Sequence, residues 1–297
     1  MRMIAVFEKS LRLRHIGHLD IQRFVQRGLR RSGLPVAYSN GFNPHILVSF
    51  ASALSTGACG KREIMDVKLA GPVTEETFLA EMNRAMPPEM PLLEARAVED
   101  NHPAPMAMLK AASWDIVLQD ADQAQKLTAA IPGMLAKEAI PAVRKTKSGM
   151  TQVDIKPMIY ALSGTGNHLY CTLSLTPEAT CRPNMLVDAL AVEAGIVSEA
   201  GSGEHAPAAG AEAESDFSPG SDCPEAKSDF SPGSDCPEAK TAPARRKPGA
   251  EATNSFGMRM ESAIAADGRE GAVSMLITRT RLLGEDAQGV LTPLERL

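Results

Sequence analysis

Residues 19–32 read LDIQRFVQRGLRRS, and the spacing inside that stretch decides how the first hundred residues fold. Ile21, Phe24, Val25, Gly28 and Leu29 fall at i, i+3, i+4, i+7 and i+8, the stripe that an amphipathic helix buries. Before this helix, Met3–Lys9 and Leu11–Arg14 read as strands. After it come two extended stretches, Pro35–Ser39 and Ile46–Ser52, separated by the turn Asn40-Gly41-Phe42-Asn43-Pro44. Arg62–Leu69 predicts a further strand and Thr74–Met86 a second helix. There Thr74 is placed to cap, and Glu75 and Glu76 sit at the positive end of the dipole. Pro91–Val98 completes the set. The order is βαββαβ, the split-βαβ or ferredoxin-like motif.

The same order recurs downstream with little sequence similarity. Ser113–Gln119 predicts a strand, and Asp122–Lys137 a helix interrupted at Pro132-Gly133. Asp154–Leu162 and His168–Leu175 predict two strands joined by the hairpin signal Ser163-Gly164-Thr165-Gly166-Asn167. Asn184–Ala194 predicts a helix and Val273–Leu283 a last strand. The expected fold class is therefore α+β, with tandem ferredoxin-like (βαββαβ) modules and a disordered insertion in the second. The first module covers residues 1–100 and the second covers 101–198 plus 271–290. Residues 199–254 form the insertion, rich in Ala, Gly, Ser, Pro and Glu, in which Ser215–Lys227 is repeated without change as Ser228–Lys240. Two polar thirteen-residue copies cannot build a solenoid, and such a composition buries too little apolar surface to offset the entropy of ordering.

Composition narrows the function classes. Hydrophobic residues make up 44% of the 297 but aromatics only 4%, so the core rests on aliphatic side chains, with the 15 methionines as gap-fillers. No run approaches the roughly 18 apolar residues of a membrane helix. Charge at Arg2, Glu8 and Lys9 interrupts what a signal peptide would keep apolar. A cytoplasmic protein with no membrane contact is expected. Cys59, Cys171, Cys181, Cys223 and Cys236 form no CxxC pair and no zinc spacing, so no metal and no cofactor are expected. Nucleophile motifs, phosphate-cradling glycine loops and dinucleotide fingerprints are absent from the sequence. Residues 199–254 carry a net charge of −6 against −5 for the whole chain, which leaves the remainder at +1. The acidic total is thus no argument against a nucleic-acid partner.

The chemistry-bearing residues concentrate between Arg12 and Phe50. Arg23, Arg27, Arg30 and Arg31 fall on the helix side opposite the apolar stripe. Arginine suits bidentate phosphate contact; the competing reading is a solvated face with Asp20 pairing Arg23 or Arg27. Tyr38, Phe42 and Phe50 are the aromatics available for base stacking, with Asn43 in the same turn. Arg144, Lys145 and Lys147 precede Gly149 and read as a flexible basic loop, a second candidate for phosphate contact. His18 and His45, with Asp20 close to the first, could bind a metal or perform acid–base chemistry if the fold brought them together. The plainer reading places His18 at a helix start and His45 inside the Asn-Pro turn.

Several of these stretches carry a family resemblance. Gly17-His18-Leu19-Asp20, the segment Arg30–Ser39 and Gly41-Phe42-Asn43-Pro44-His45 are similar to the signature of the radical SAM-linked protein family. So are Val153-Asp154-Ile155-Lys156-Pro157, Cys181-Arg182-Pro183 and Ile277-Thr278-Arg279-Thr280. The resemblance implies a bacterial protein without an assigned activity, encoded beside or fused to a cobalamin-binding radical SAM protein, and hence such a partner. The chain has no CxxxCxxC and so is not itself the radical SAM enzyme. It departs from the family at Ile46-Leu47-Val48, where a Pro and a basic residue are usual. The expected function is a non-catalytic accessory protein that binds structured RNA or presents a substrate. The alternatives are a histidine-dependent RNA-processing enzyme, for which His18, Asp20 and His45 are the catalytic candidates, and a pure protein–protein adaptor. The layout also distantly resembles the CRISPR repeat-processing endonucleases.

Overall fold

Alternation along strand β1 (Arg2–Lys9) sets the layers. Met3, Ala5 and Phe7 are buried under two helices, α1 (His18–Arg31) and α2 (Glu75–Ala85), in one cluster with Ile21, Val25, Leu29, Phe78 and Met82. Strand β1 pairs antiparallel with β4 (Leu92–Val98) on one side and β3 (Ala58–Lys68) on the other. Strand β2 (Val48–Phe50) pairs with the later half of β3, so the order is β4-β1-β3-β2. This computed structural model describes residues 1–146, 149–197 and 273–296. The expected insertion, with its duplicated thirteen residues, lies outside them.

Strand β3 is longer than β2 requires. Its first residues, Ala58, Cys59 and Gly60, pair in parallel with Ile277, Thr278 and Arg279 of β10 (Met275–Glu285). Through that seam the sheet continues as β10-β5-β9-β8, with β5 (Leu109–Leu118), β9 (His168–Ser174) and β8 (Ile159–Thr165) all antiparallel to their neighbours. Helices α4 (Ala121–Ala136) and α5 (Pro183–Glu193) cover Trp114, Ile116, Leu118, Leu169, Cys171 and Leu173 in a second cluster. A short α3 (Pro105–Met108) leads into β5, and β11 (Leu291–Pro293) pairs with the end of β10. The fold is thus mixed α+β, dominated among the described residues by one nine-stranded sheet. No helix among the described residues is long and apolar enough to cross a membrane.

Local chemistry explains where the elements start and stop. Thr74 caps α2 as the sequence predicts, its Oγ1 accepting from Thr77 N at 3.2 Å. Asp120 does the same for α4 through Gln123 N at 2.9 Å. Gly28 lies where α1 meets α2, and a Cβ there would stand 2.5 Å from Met86 Sδ. Four expectations are corrected. Leu11–Arg14 is no strand: Leu11–Leu13 form a 3-10 turn, and the chain bends because Lys9 Nζ holds the carbonyl of Ile16 at 2.9 Å. Helix α4 runs through Pro132 without interruption, because Leu127, Ile131 and Met134 are all buried and that packing outweighs one lost backbone bond. The basic stretch at Arg144 is a hairpin and not a loop. There β6 (Pro141–Thr146) pairs with β7 (Gly149–Asp154), Arg144 lying opposite Thr151. Asp154 closes it by accepting from Ile140 N and Lys156 N at 2.8 and 2.9 Å, which holds its carboxyl below the usual range. A 3-10 turn at Lys156–Met158 then delays β8 to Ile159.

Burial of the α1 stripe leads to a direct test. Leu29 is 1% exposed, whereas Arg27 is exposed. Leu29→Ala is expected to cost about 2–5 kcal/mol in urea unfolding, and Arg27→Ala well under about 1 kcal/mol. Equal losses would mean that the helix does not bury this face.

Candidate functional site

Helix α1 begins at His18, with Gly17 as its N-cap, and ends in Arg30 and Arg31. All four of its arginines are exposed. Arg23 pairs with Asp20 at 3.1 Å, one of the two pairings the sequence allowed. Arg31 donates to the Ala85 carbonyl at 2.6 Å, tying the helix to the end of α2. Arg27 and Arg30 make no ion pair or hydrogen bond among the described residues. The face therefore presents two uncommitted guanidinium groups beside two that are lightly held.

The turn after α1 is a small exposed platform. Tyr38 bridges to Ile46, and Ser39 N donates to the His45 carbonyl at 2.8 Å. His45 Nδ1 lies 2.8 Å from Ser39 Oγ, which also accepts from His45 N at 3.1 Å. Gly41 takes φ +120°, a backbone that an L side chain rarely adopts, and this lets Phe42 and Asn43 project into solvent. Phe42 is fully exposed and Tyr38 nearly half so. On the hairpin, Arg144 is half-buried, while Lys147 and the side chain of Lys145 lie outside the described residues.

His18 has different surroundings from His45. Its ring meets Phe50 edge-on at 5.2 Å, and it lines a small pocket with Phe7, Lys9, Ile21, Ser52 and Glu63. His45 is not part of that pocket, and Asp20 is engaged by Arg23, so the three enzyme candidates do not form one hydrogen-bonded set. Among the described residues no three His, Cys, Asp or Glu side chains are grouped to hold a metal.

Behind His18 lies a group of charges that sequence reasoning alone does not bring together. Arg279 and Glu63 are 1% and 3% exposed and form a bidentate pair, Nε to Oε1 at 2.8 Å and Nη2 to Oε2. Arg279 Nη1 also donates to Ser52 Oγ at 3.1 Å, and its guanidinium lies 5.5 Å from the centre of the Trp114 ring. A Cβ on Gly60 would stand 2.4 Å from Glu63 Oε1, so only glycine leaves room for that carboxylate. Lys9, 2% exposed, completes the group, and burial lowers its pKa. Burial, reinforced by the positive charge of Arg279, likewise holds the His18 imidazole below its ordinary 6.5; Glu63 opposes this and Lys9 adds to it. A signal existed in the sequence: Glu63 shares the parity of Met65 and Val67, so a carboxylate falls on the inward face of an apolar strand.

The opposite face of the sheet carries a second unforeseen arrangement. In β9, Leu169, Cys171 and Leu173 are buried, so His168, Tyr170 and Thr172 alternate onto the other side. The His168 and Tyr170 rings are stacked, centroids 5.7 Å apart and planes 14° from parallel. His168 Nδ1 lies 2.8 Å from Asp115 Oδ1 on β5, and Ser113 Oγ lies 3.0 Å from Thr172 Oγ1. The period-2 pattern from His168 to Leu173 was the available signal.

Residues 2–187 match a family described as an uncharacterized protein conserved in bacteria, DUF2344. The chain belongs to that family. The DUF2344 match takes in α1, the Tyr38–His45 turn, Lys9, Glu63 and the β9 face, and it ends inside α5, before Arg279. No curated protein matches the chain.

Two measurements probe the buried charges of this DUF2344 chain. Arg279→Met leaves Glu63 buried without its partner and is expected to cost about 3–5 kcal/mol, most of it regained when Glu63→Met is added. A double variant no more stable than the single one would show that the loss came from packing. For His18, the folded pKa lies below the unfolded one, so its contribution to stability is complete above pH 6.5 and declines as the pH falls. Between pH 7.5 and 5 the melting temperature of the native chain should therefore fall further than that of His18→Gln.

Proposed function

We propose that this protein is a non-catalytic accessory that binds structured RNA and presents it, or a substrate, to a cobalamin-dependent radical SAM partner in the cytoplasm. The observation that carries the reading is the α1 face, where Arg27 and Arg30 stand exposed with no acidic partner among the described residues. A surface helix that served solubility alone would interleave glutamates, and Asp20 is the single acid on α1. The exposed Tyr38, Phe42 and Asn43 supply groups that could meet unstacked bases. Arg144 on the β6–β7 hairpin supplies a further cation. The partner class comes from the sequence resemblance. We also read each half as a ferredoxin-like module, and the recurring orders β4-β1-β3-β2 and β10-β5-β9-β8 support that reading. A histidine-dependent RNA-processing activity has less support, since Asp20 is spent on Arg23 and His45 on Ser39.

Fluorescence anisotropy with labelled RNAs of unrelated sequence, each at two salt concentrations, tests the reading. Arg27→Gln/Arg30→Gln should weaken every RNA to a similar extent. The slope of log affinity against log salt should shrink by about 0.7–0.9 for each phosphate no longer neutralised. Unchanged affinity in this double variant would remove the RNA reading of α1 and leave the face as a protein-docking surface.

A further inference from the structure

We infer that the open face of β9 is a stacking platform for the bases of single-stranded RNA, an inference that rests on the RNA-binding reading above. The platform is built from side chains held in place by their neighbours. Tyr170 is 45% exposed and lies nearly parallel to the half-exposed His168 two positions away on the same strand. The carboxylate of Asp115 can only accept, so His168 Nδ1 donates to it whatever the charge of the ring, and the imidazole plane is fixed. Nε2 is left without a partner among the described residues. Both rings keep part of their surface open to solvent, and an exposed π surface is what a base of any identity can stack on.

The surroundings favour a nucleic acid over a protein partner. Protein interfaces centre on apolar anchors, yet the rings here are bordered by hydroxyls and a carboxylate: Ser113 and Asp115 on β5, Thr172 on β9, Ser163 directly across from Tyr170 on β8. Such groups suit the polar edges of a base. Arg281 supplies the other half of the chemistry. It pairs in register with Ser113, which in turn pairs with Thr172, so it stands on the same face, two strands across and one row along from Tyr170. Its side chain is 41% exposed and is held by Glu295 at 3.4 Å, leaving guanidinium donors for a phosphate. Rings for bases with a cation alongside for the backbone form the recognition set of a single strand, whereas a duplex hides its base faces. The face lies opposite the helices, so it meets RNA independently of α1.

Anisotropy with a fluorescein-labelled 20-nucleotide single-stranded RNA, and with the same RNA annealed to its complement, separates the two surfaces. Tyr170→Leu keeps bulk and removes the π surface; Tyr170→Phe keeps both. The leucine variant should bind the single strand about 5- to 100-fold more weakly, with its salt slope unchanged because stacking releases no counterions. The phenylalanine variant should bind as the native chain does. Duplex binding should be unaffected by either variant and should still respond to Arg27→Gln/Arg30→Gln. Native-like single-strand binding by Tyr170→Leu, with the arginine effect intact, would overturn the platform alone. Absence of any RNA binding by the native chain would overturn the platform and the RNA-binding reading together.

Discussion

The pair between Arg279 and Glu63 is the interaction on which the joined sheet rests. Two full charges have been taken out of water, and such a pair persists only when the geometry and the additional hydrogen bonds repay the lost hydration. Here both conditions are met: the fork is bidentate, Ser52 accepts from the remaining side of the guanidinium, and the Trp114 ring lies against it. Each partner belongs to a different half of the chain, and the pair sits where β3 and β10 run side by side for only three residue pairs. A seam that short gains little from backbone hydrogen bonds. The buried ion pair, with Gly60 cleared of any side chain to admit it, fixes the register that those few bonds would leave loose.

Local pattern was the part of the fold most legible in the sequence. The stripe of α1 is buried at Ile21, Val25, Gly28 and Leu29, with Phe24 at its margin, and Thr74 caps where its position before two glutamates says it should. The turn between β8 and β9 falls within Ser163–Asn167 but takes only Gly166 and Asn167, since β8 stays paired through Thr165. What failed to show was whatever depends on a distant partner. Arg144 and Lys145 read as a loop because a run of charge suggests irregular backbone, yet backbone pairing with Thr151 and Met150 makes them a strand. Leu11–Arg14 read as a strand because nothing local reveals that Lys9 will hold the following carbonyls.

The candidate site divides along the same line. The arginines of α1 were visible as composition, and the structure leaves them exposed. His18 and His45 were visible as residue types, but their proximity in the chain said nothing of their environments, one in a pocket beside cations and one on an exposed turn. Arg279 stood among the stretches of family resemblance without a role, because its partner is 216 positions away. The His168–Tyr170 pair lies outside the arginine-rich region and so carries no charge signal, even though its strand alternates as cleanly as β1.

The place of β10 in the sheet has a consequence for how the protein is made. A chain leaves the ribosome from its N-terminus, and its first half can assemble β4-β1-β3-β2 as soon as Val98 has emerged. The second half cannot finish in the same way. Strands β5, β9 and β8 are synthesised early, but the strand that joins them to β3 is encoded after residue 272, beyond the long stretch that precedes it. Throughout that interval β5 and the near end of β3 are open edges, the kind that pair with strands of other molecules. A message cut short within the stretch would yield a product with both edges permanently bare and Glu63 without Arg279. Quality control would have to recognise such a product by its unpaired strands, since nearly all of its core would already be in place.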